Sequence, residues 1–205
     1  MALPSVVFVC TGNICRSVTA ERVLKRHLES IGAEAVIDSA GISDEEEGNP
    51  IDPRQARVLA AAGYRTDSHS ARQITPEWLA ERDLAVAMTA RHYRALERLI
   101  AGLPAEARPE LRMLREFDPE ASDDPRRGGT ADPYGGGSRL GGGGDDAPAP
   151  DVPDPWYGGR LTDFEETLET MERSVTGLTD HLRAAARARD EAGIWDTGGS
   201  RTRQR

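Results

Sequence analysis

Consecutive apolar residues gather in four short runs: Val6-Val7-Phe8-Val9, Ala35-Val36-Ile37, Leu84-Ala85-Val86-Ala87-Met88, and Leu111-Arg112-Met113-Leu114, the last broken by one arginine. Unbroken runs of this length, rich in β-branched residues, predict strands covered on both faces. Between them the apolar positions change to a spacing of three or four. Val18, Val23, Leu24, Leu28 and Ile31 predict a helix over 18–30 that Gly32 ends. Pro53 opens a second helix to about Ala62, with Gly63 as its stop. Thr75 followed by Pro76 caps a short third helix, and Tyr93, Leu96, Leu99 and Ile100 give an amphipathic fourth over 90–101. A capping box at 162–165 is expected to open a last helix reaching about Arg187. Strands alternating with helices imply right-handed βαβ crossovers. The expected fold class is α/β: a single domain, a four-stranded parallel sheet with helices on both faces.

The pattern fails in two places. From about Glu120 to Pro150 the chain is mostly Gly, Asp, Pro and Arg, which cannot bury enough apolar surface to offset the entropy of ordering it. It is read as a disordered insertion over 120–150. After Arg189 an Arg-rich tail, 190–205, is expected to be flexible. The folded domain is thus assigned to 1–119 plus 151–189.

Composition narrows the function classes. The 205 residues carry a formal net charge of −9, which argues against nucleic acid as a partner. No apolar run approaches the ~20 residues of a membrane-spanning helix, and no secretory leader pattern is visible. The 2 cysteines lie within one short loop and make no disulfide framework, so a reducing cytoplasm is expected. The histidines lack ligand spacing, so neither a metal nor a cofactor is expected. The residues carry no signal for an oligomeric state.

The chemistry concentrates where the first strand meets the first helix, in Cys10-Thr11-Gly12-Asn13-Ile14-Cys15-Arg16-Ser17. A turn between a strand's carboxyl end and a helix N-terminus collects unpaired N–H groups and the positive end of the helix dipole, which together bind anions. A thiol in such a field ionises more readily than a free one. Arg16 can grip two phosphate oxygens at once, and Ser17 can donate to the sulfur. Gly12 and Asn13 are residue types that tolerate the left-handed backbone expected in such a loop. The reading is a nucleophile, Cys10, in a phosphate cradle formed by residues 11–17.

The pattern Cys-x5-Arg-Ser, placed after an N-terminal strand, resembles the low-molecular-weight protein tyrosine phosphatases of bacteria, over about residues 5–119 and 151–183. The resemblance implies a protein-tyrosine-phosphate phosphatase working through a cysteinyl-phosphate, with a tyrosine-phosphorylated protein as substrate. It assigns loop support to Asn13, Ser39 and His69, the last in the turn His69-Ser70-Ala71-Arg72-Gln73. Three departures stand out. Acidic residues (44–47, in the loop 43–47) replace an aromatic wall before Gly48-Asn49-Pro50, Thr89 replaces an aspartate, and Val18 replaces a proline.

A leaving phenolate needs a positioned acid, and the family carries it in an Asp-Pro-aromatic turn. Two such turns exist, Asp154-Pro155-Trp156 and Asp132-Pro133-Tyr134. Asp132 lies among glycines, whereas Asp154 is fixed between prolines near a capped helix, so Asp154 is the expected general acid. Trp156 and Tyr157 are expected to wall the substrate ring. Cys15 is a candidate resolving thiol that would trap an oxidised Cys10 as a disulfide. Other readings of the same loop are a protein arginine phosphatase, a thiol-coupled arsenate reductase, and a phosphoprotein-binding pseudophosphatase. Ile14 and the Trp-Tyr pair favour tyrosine over arginine, and the lack of a third cysteine counts against the reductase.

Overall fold

The structure, a computed structural model, describes residues 2–121 and 149–191. Ten elements carry the fold: β1 (Val6–Cys10), α1 (Arg16–Ser30), β2 (Ile37–Gly41), α2 (Pro53–Ala61), α3 (Pro76–Ala80), β3 (Leu84–Ala87), α4 (Ala90–Ala101), β4 (Glu110–Met113), α5 (Pro155–Gly158) and α6 (Leu161–Glu191). The four strands form one sheet with all neighbours parallel, as expected, and its strand order is β2-β1-β3-β4.

Every residue of β1 is buried, because alternate side chains enter different cores. Val6, Phe8 and Cys10 face a core completed by α1, α2 and α6, with Leu24, Leu59, Phe164 and Met171 at its centre. Val7 and Val9 face a second core that contains Leu79 of α3 and Leu96 and Ile100 of α4. Helices therefore cover both faces. The chain leaves β1 toward β2 on one side and returns to β3 on the other. The carboxyl ends of β1 and β3 flank the point where strand order reverses, the place where open α/β sheets hold their ligands.

Several boundaries differ from expectation. The last helix begins at Leu161, ahead of the expected box. The group that closes its N-terminus is Asp163, whose carboxylate accepts from the Arg160 N–H at 3.1 Å. That helix continues to Glu191, beyond Arg187. Ala121 and Ala149 are buried, so the folded body reaches into both edges of the expected 120–150 insertion. Residues 122–148, which include Asp132, and 192–205 lie outside the described residues. Among the described residues no helix is long and apolar enough to cross a membrane.

Candidate active site

β1 ends at Cys10 and α1 begins at Arg16, so the intervening residues must turn tightly at the strand's carboxyl end. No side chain caps α1 at Cys15, which leaves the orphan N–H groups of its first turn at the loop. The Cys10 sulfur lies 3.0 Å from Ser17 Oγ and accepts from the Asn13 N–H at 3.3 Å. Arg16 is almost wholly buried and puts one guanidinium nitrogen 2.6 Å from Asp154 Oδ2, the other 3.4 Å from the Val152 carbonyl. The candidates for nucleophile, phosphate-binding arginine and acid thus converge from positions 10, 16 and 154.

Asn13 is the joint that fixes this loop. Its φ is 61°, the left-handed conformation that asparagine tolerates. Its Nδ2 donates to Ser17 Oγ at 3.0 Å and to Ser39 Oγ at 2.9 Å, and its Oδ1 accepts from the Arg72 N–H at 3.2 Å. Its carbonyl lies 2.7 Å from His69 Nε2, which donates to it. The three residues assigned to loop support therefore meet at one point. Burial pushes the His69 pKa down, so its ring is neutral at neutral pH and can serve as that single donor.

Gly12 differs from its expected role. Its backbone is not left-handed; the positive-φ glycines among the described residues are Gly32, Gly48, Gly63 and Gly159. Space is what it provides, since a Cβ at Gly12 would lie 2.7 Å from Glu46 Cγ. Of the acidic stretch 43–47, Glu46 packs its side chain against the loop while Asp44, Glu45 and Glu47 are exposed, and Asn49 Nδ2 donates to the Glu46 carboxylate at 2.7 Å. Behind the loop, Gly41 makes a similar close approach: a Cβ there would meet the Thr11 carbonyl oxygen at 2.5 Å. The chain after β2 also grips the loop's entry, because Ile42 N–H donates to Cys10 O and Ser43 N–H to Thr11 O.

Asp154 is held from two sides. It caps the short α5, accepting from the Trp156 N–H at 3.1 Å through Oδ1, while Oδ2 pairs with Arg16. Trp156, half exposed, follows it at the rim. Tyr157 lies in the same turn, and its side chain falls outside what is described. Cys15 is buried; desolvation, then the charge of Asp52, pushes its thiol pKa far up, so it is a protonated thiol at neutral pH.

Sequence reasoning missed two partners of this loop. His92, 1% exposed, bridges Thr11 Oγ1 through Nε2 and Thr89 Oγ1 through Nδ1, at 2.9 Å each. Burial and then the charge of Arg16 keep it neutral. Thr89, standing where an aspartate was expected, caps α4 and orients that ring. The other partner is Glu21, buried on α1, which accepts from Ser39 Oγ and pairs with Lys25. The only local signal for His92 was its place three residues after a capping threonine. Glu21 carried none beyond an acidic residue on the apolar side of α1.

The family model described as low molecular weight phosphotyrosine protein phosphatase matches residues 5–140. A low molecular weight protein-tyrosine-phosphatase of Streptomyces coelicolor is 41% identical over 187 residues, covering 90% of this chain and 96% of that protein. Low molecular weight protein-tyrosine phosphatase A of Mycobacterium tuberculosis is 40% identical over 177 residues, covering 85% of this chain and 89% of that protein. Among solved structures, YfkJ from Bacillus subtilis aligns with a TM-score of 0.67 and 28% identity, covering 90% of this chain and 98% of that one. A protein tyrosine phosphatase from Entamoeba histolytica shares the fold with a TM-score of 0.68 at 24% identity, covering 89% of this chain and 99% of that one.

Proposed function

This chain belongs to the low molecular weight phosphotyrosine protein phosphatase family, and we propose that it hydrolyses phosphotyrosine in proteins through Cys10, Arg16 and Asp154. It is a hydrolase of phosphoric monoesters, and the named relatives at 40% identity or more favour phosphotyrosine over phosphoarginine or arsenate. The observation that carries the residue assignment is the convergence of the Cys10 sulfur, the Arg16 guanidinium and the Asp154 carboxyl on one loop.

In the first step the Cys10 sulfur attacks phosphorus. The S–P bond forms as the bond to the phenolic oxygen breaks, and Asp154 gives that oxygen its proton. Loop N–H groups from 11 to 17 and the Arg16 guanidinium receive the charge on the equatorial oxygens. In the second step Asp154, now a carboxylate, takes a proton from water. The water oxygen bonds to phosphorus, the S–P bond breaks, and phosphate leaves. Asn13, Ser39 and His69 hold the loop in register. Trp156, half exposed beside Asp154, flanks the ring of a tyrosine-phosphorylated protein segment. With both cysteines free, a reducing compartment, the cytoplasm, suits this chemistry.

Cys10→Ser is expected to abolish turnover while vanadate still binds. Asp154→Asn is expected to slow hydrolysis of phenolic phosphates by about 10²-fold or more, and Asp132→Asn far less. The reverse ranking of the two aspartates would overturn the assignment of the acid.

A further inference from the structure

The segment that carries Asp154 returns from residues outside the described set and must be registered against the loop at once, because only Val152 and Pro153 separate Asp151 from Asp154. Its anchors lie at the junction of β3 and α4. The Val152 N–H donates to the Met88 carbonyl at 2.8 Å, and the Met88 N–H donates to Val9 O, beside the nucleophile's strand end. The Asp151 carboxylate accepts from the Ala90 N–H at 2.7 Å. Ala90 is the first residue of α4, a helix of 12 residues whose cap, Thr89, is committed to His92. An anion at that position satisfies an orphan donor and lies at the favourable end of the helix dipole. His92 of the same helix reaches Thr11, the residue after Cys10. One short junction therefore seats the acid-bearing segment through Asp151 and the phosphate loop through His92.

We propose that Asp151 is a positioning residue for the general acid: by clamping its segment to the N-terminus of α4, it sets where the Asp154 carboxyl stands relative to Arg16 and the leaving oxygen. This rests on the assignment of Asp154 above. Asp151 itself touches neither Arg16 nor Cys10 in the hydrogen bonds of the site, and its exposed carboxylate is turned to the helix. Val152, by contrast, is buried and anchors through its backbone, which leaves Asp151 as the side chain on which the clamp depends.

The readout is the dependence of kcat/KM on the leaving group. An acid matters most for a poor leaving group and hardly at all for an activated one. With the full chain, kcat/KM is measured for phenyl phosphate and for 2,4-dinitrophenyl phosphate in the native protein and in Asp151→Ala, Asp151→Asn, Asp154→Asn and the Asp151→Ala/Asp154→Asn double variant. Asp151→Ala is expected to lower the phenyl phosphate value about tenfold and the dinitrophenyl value by less than about twofold, since displacement of a catalytic group by under an ångström costs that order. Asp151→Asn keeps an acceptor for the Ala90 N–H and should recover most of the loss. The double variant should show no more leaving-group dependence than Asp154→Asn alone. Equal losses on both substrates, or none on either, would overturn the role of Asp151. A flat profile for Asp154→Asn would instead remove the acid assignment itself, and with it the premise of the clamp.

Discussion

Gly41 offers a sharp test of how tightly the nucleophile loop must be held. It ends β2 opposite Cys10 in the parallel register, and its backbone does not need glycine's left-handed freedom. Space is the requirement. A Cβ there would lie 2.5 Å from the Thr11 carbonyl oxygen, where ordinary contact starts at 3.4 Å, and 3.0 Å from the Ser43 carbonyl oxygen. In Gly41→Ala the Thr11 carbonyl must retreat by about 1 Å. It cannot do so freely, because Ser43 N–H holds that oxygen at 3.0 Å and Ile42 N–H holds Cys10 O at 2.9 Å. Overpacking of this kind costs roughly 1–3 kcal/mol, and for a chain of this size each kcal/mol lowers Tm by about 2–4 °C. Activity should fall further than stability, since about 1 Å of displacement at reacting groups costs up to roughly 10²-fold.

Gly177 provides the matched control. A Cβ there would meet the Phe117 carbonyl oxygen at 2.6 Å, nearly the same overlap, on α6 and away from the loop. Gly177→Ala should lose part of the same stability, offset by about 1 kcal/mol of helix propensity, with kcat/KM within about twofold of native. The assay pairs thermal unfolding with kcat/KM on a phosphotyrosine peptide and the inhibition constant of phosphate. If Gly41→Ala lowers Tm yet keeps native kcat/KM and phosphate affinity, the loop tolerates the shift and the reasoning fails.

Two further predictions come from the buried ionisable groups. His69 and His92 both have pKa values pressed below the ordinary 6.5, so the unfolded chain takes up protons that the folded one refuses; stability is complete above about pH 6.5 and is lost as pH falls below it. Urea unfolding midpoints should fall from about pH 7.5 to about 5.5, and His92→Asn should flatten that fall, since His92 is the more strongly depressed of the two; an unchanged slope in the variant would rule out His92 as a source. Cys15, if it resolves an oxidised Cys10, should form a disulfide with loss of water after one equivalent of peroxide, and faster as pH rises because its thiol is held protonated. Mass spectrometry and recovery of activity with thiol would check this, and equal recovery in Cys15→Ala would count against it.

What could be read from the sequence was what neighbouring residues encode. The strand, loop and helix of the phosphate cradle occupy one contiguous stretch, and the β1 run, the Asn13 turn and the α1 periodicity all agree. The choice of Asp154 likewise rested on the prolines and aromatics beside it. Contacts between distant residues, such as His69 with Asn13, 56 positions apart, were legible only through the family resemblance; those it did not cover were missed. Thr11 and His92 are 81 positions apart, and Ala90 and Asp151 are 61 apart; no local period announces such pairs. Gly12 shows the same limit from the other side. Glycine signals either backbone freedom or a near neighbour, and only the position of Glu46 decides which.

The hydrogen bonds around the loop also follow an electrostatic logic. The side chains that brace Asn13 and Thr11 are neutral: Ser17, Ser39, and the rings of His69 and His92, both kept uncharged by burial. The one carboxylate of the support chain, Glu21, stands behind Ser39 and is paired with Lys25. A carboxylate in the place of Ser39 would repel a phosphoryl dianion at close range, at a cost of several kcal/mol for effective dielectric constants near 20. A hydroxyl interposed between Glu21 and Asn13 transmits the orientation while keeping the charge one bond further away. The positive field is then left to Arg16 and the loop amides, the groups that a phosphate would meet. The acidic stretch at the mouth obeys the same rule, since Glu46 touches Gly12 through its methylene carbon and gives its carboxylate to Asn49.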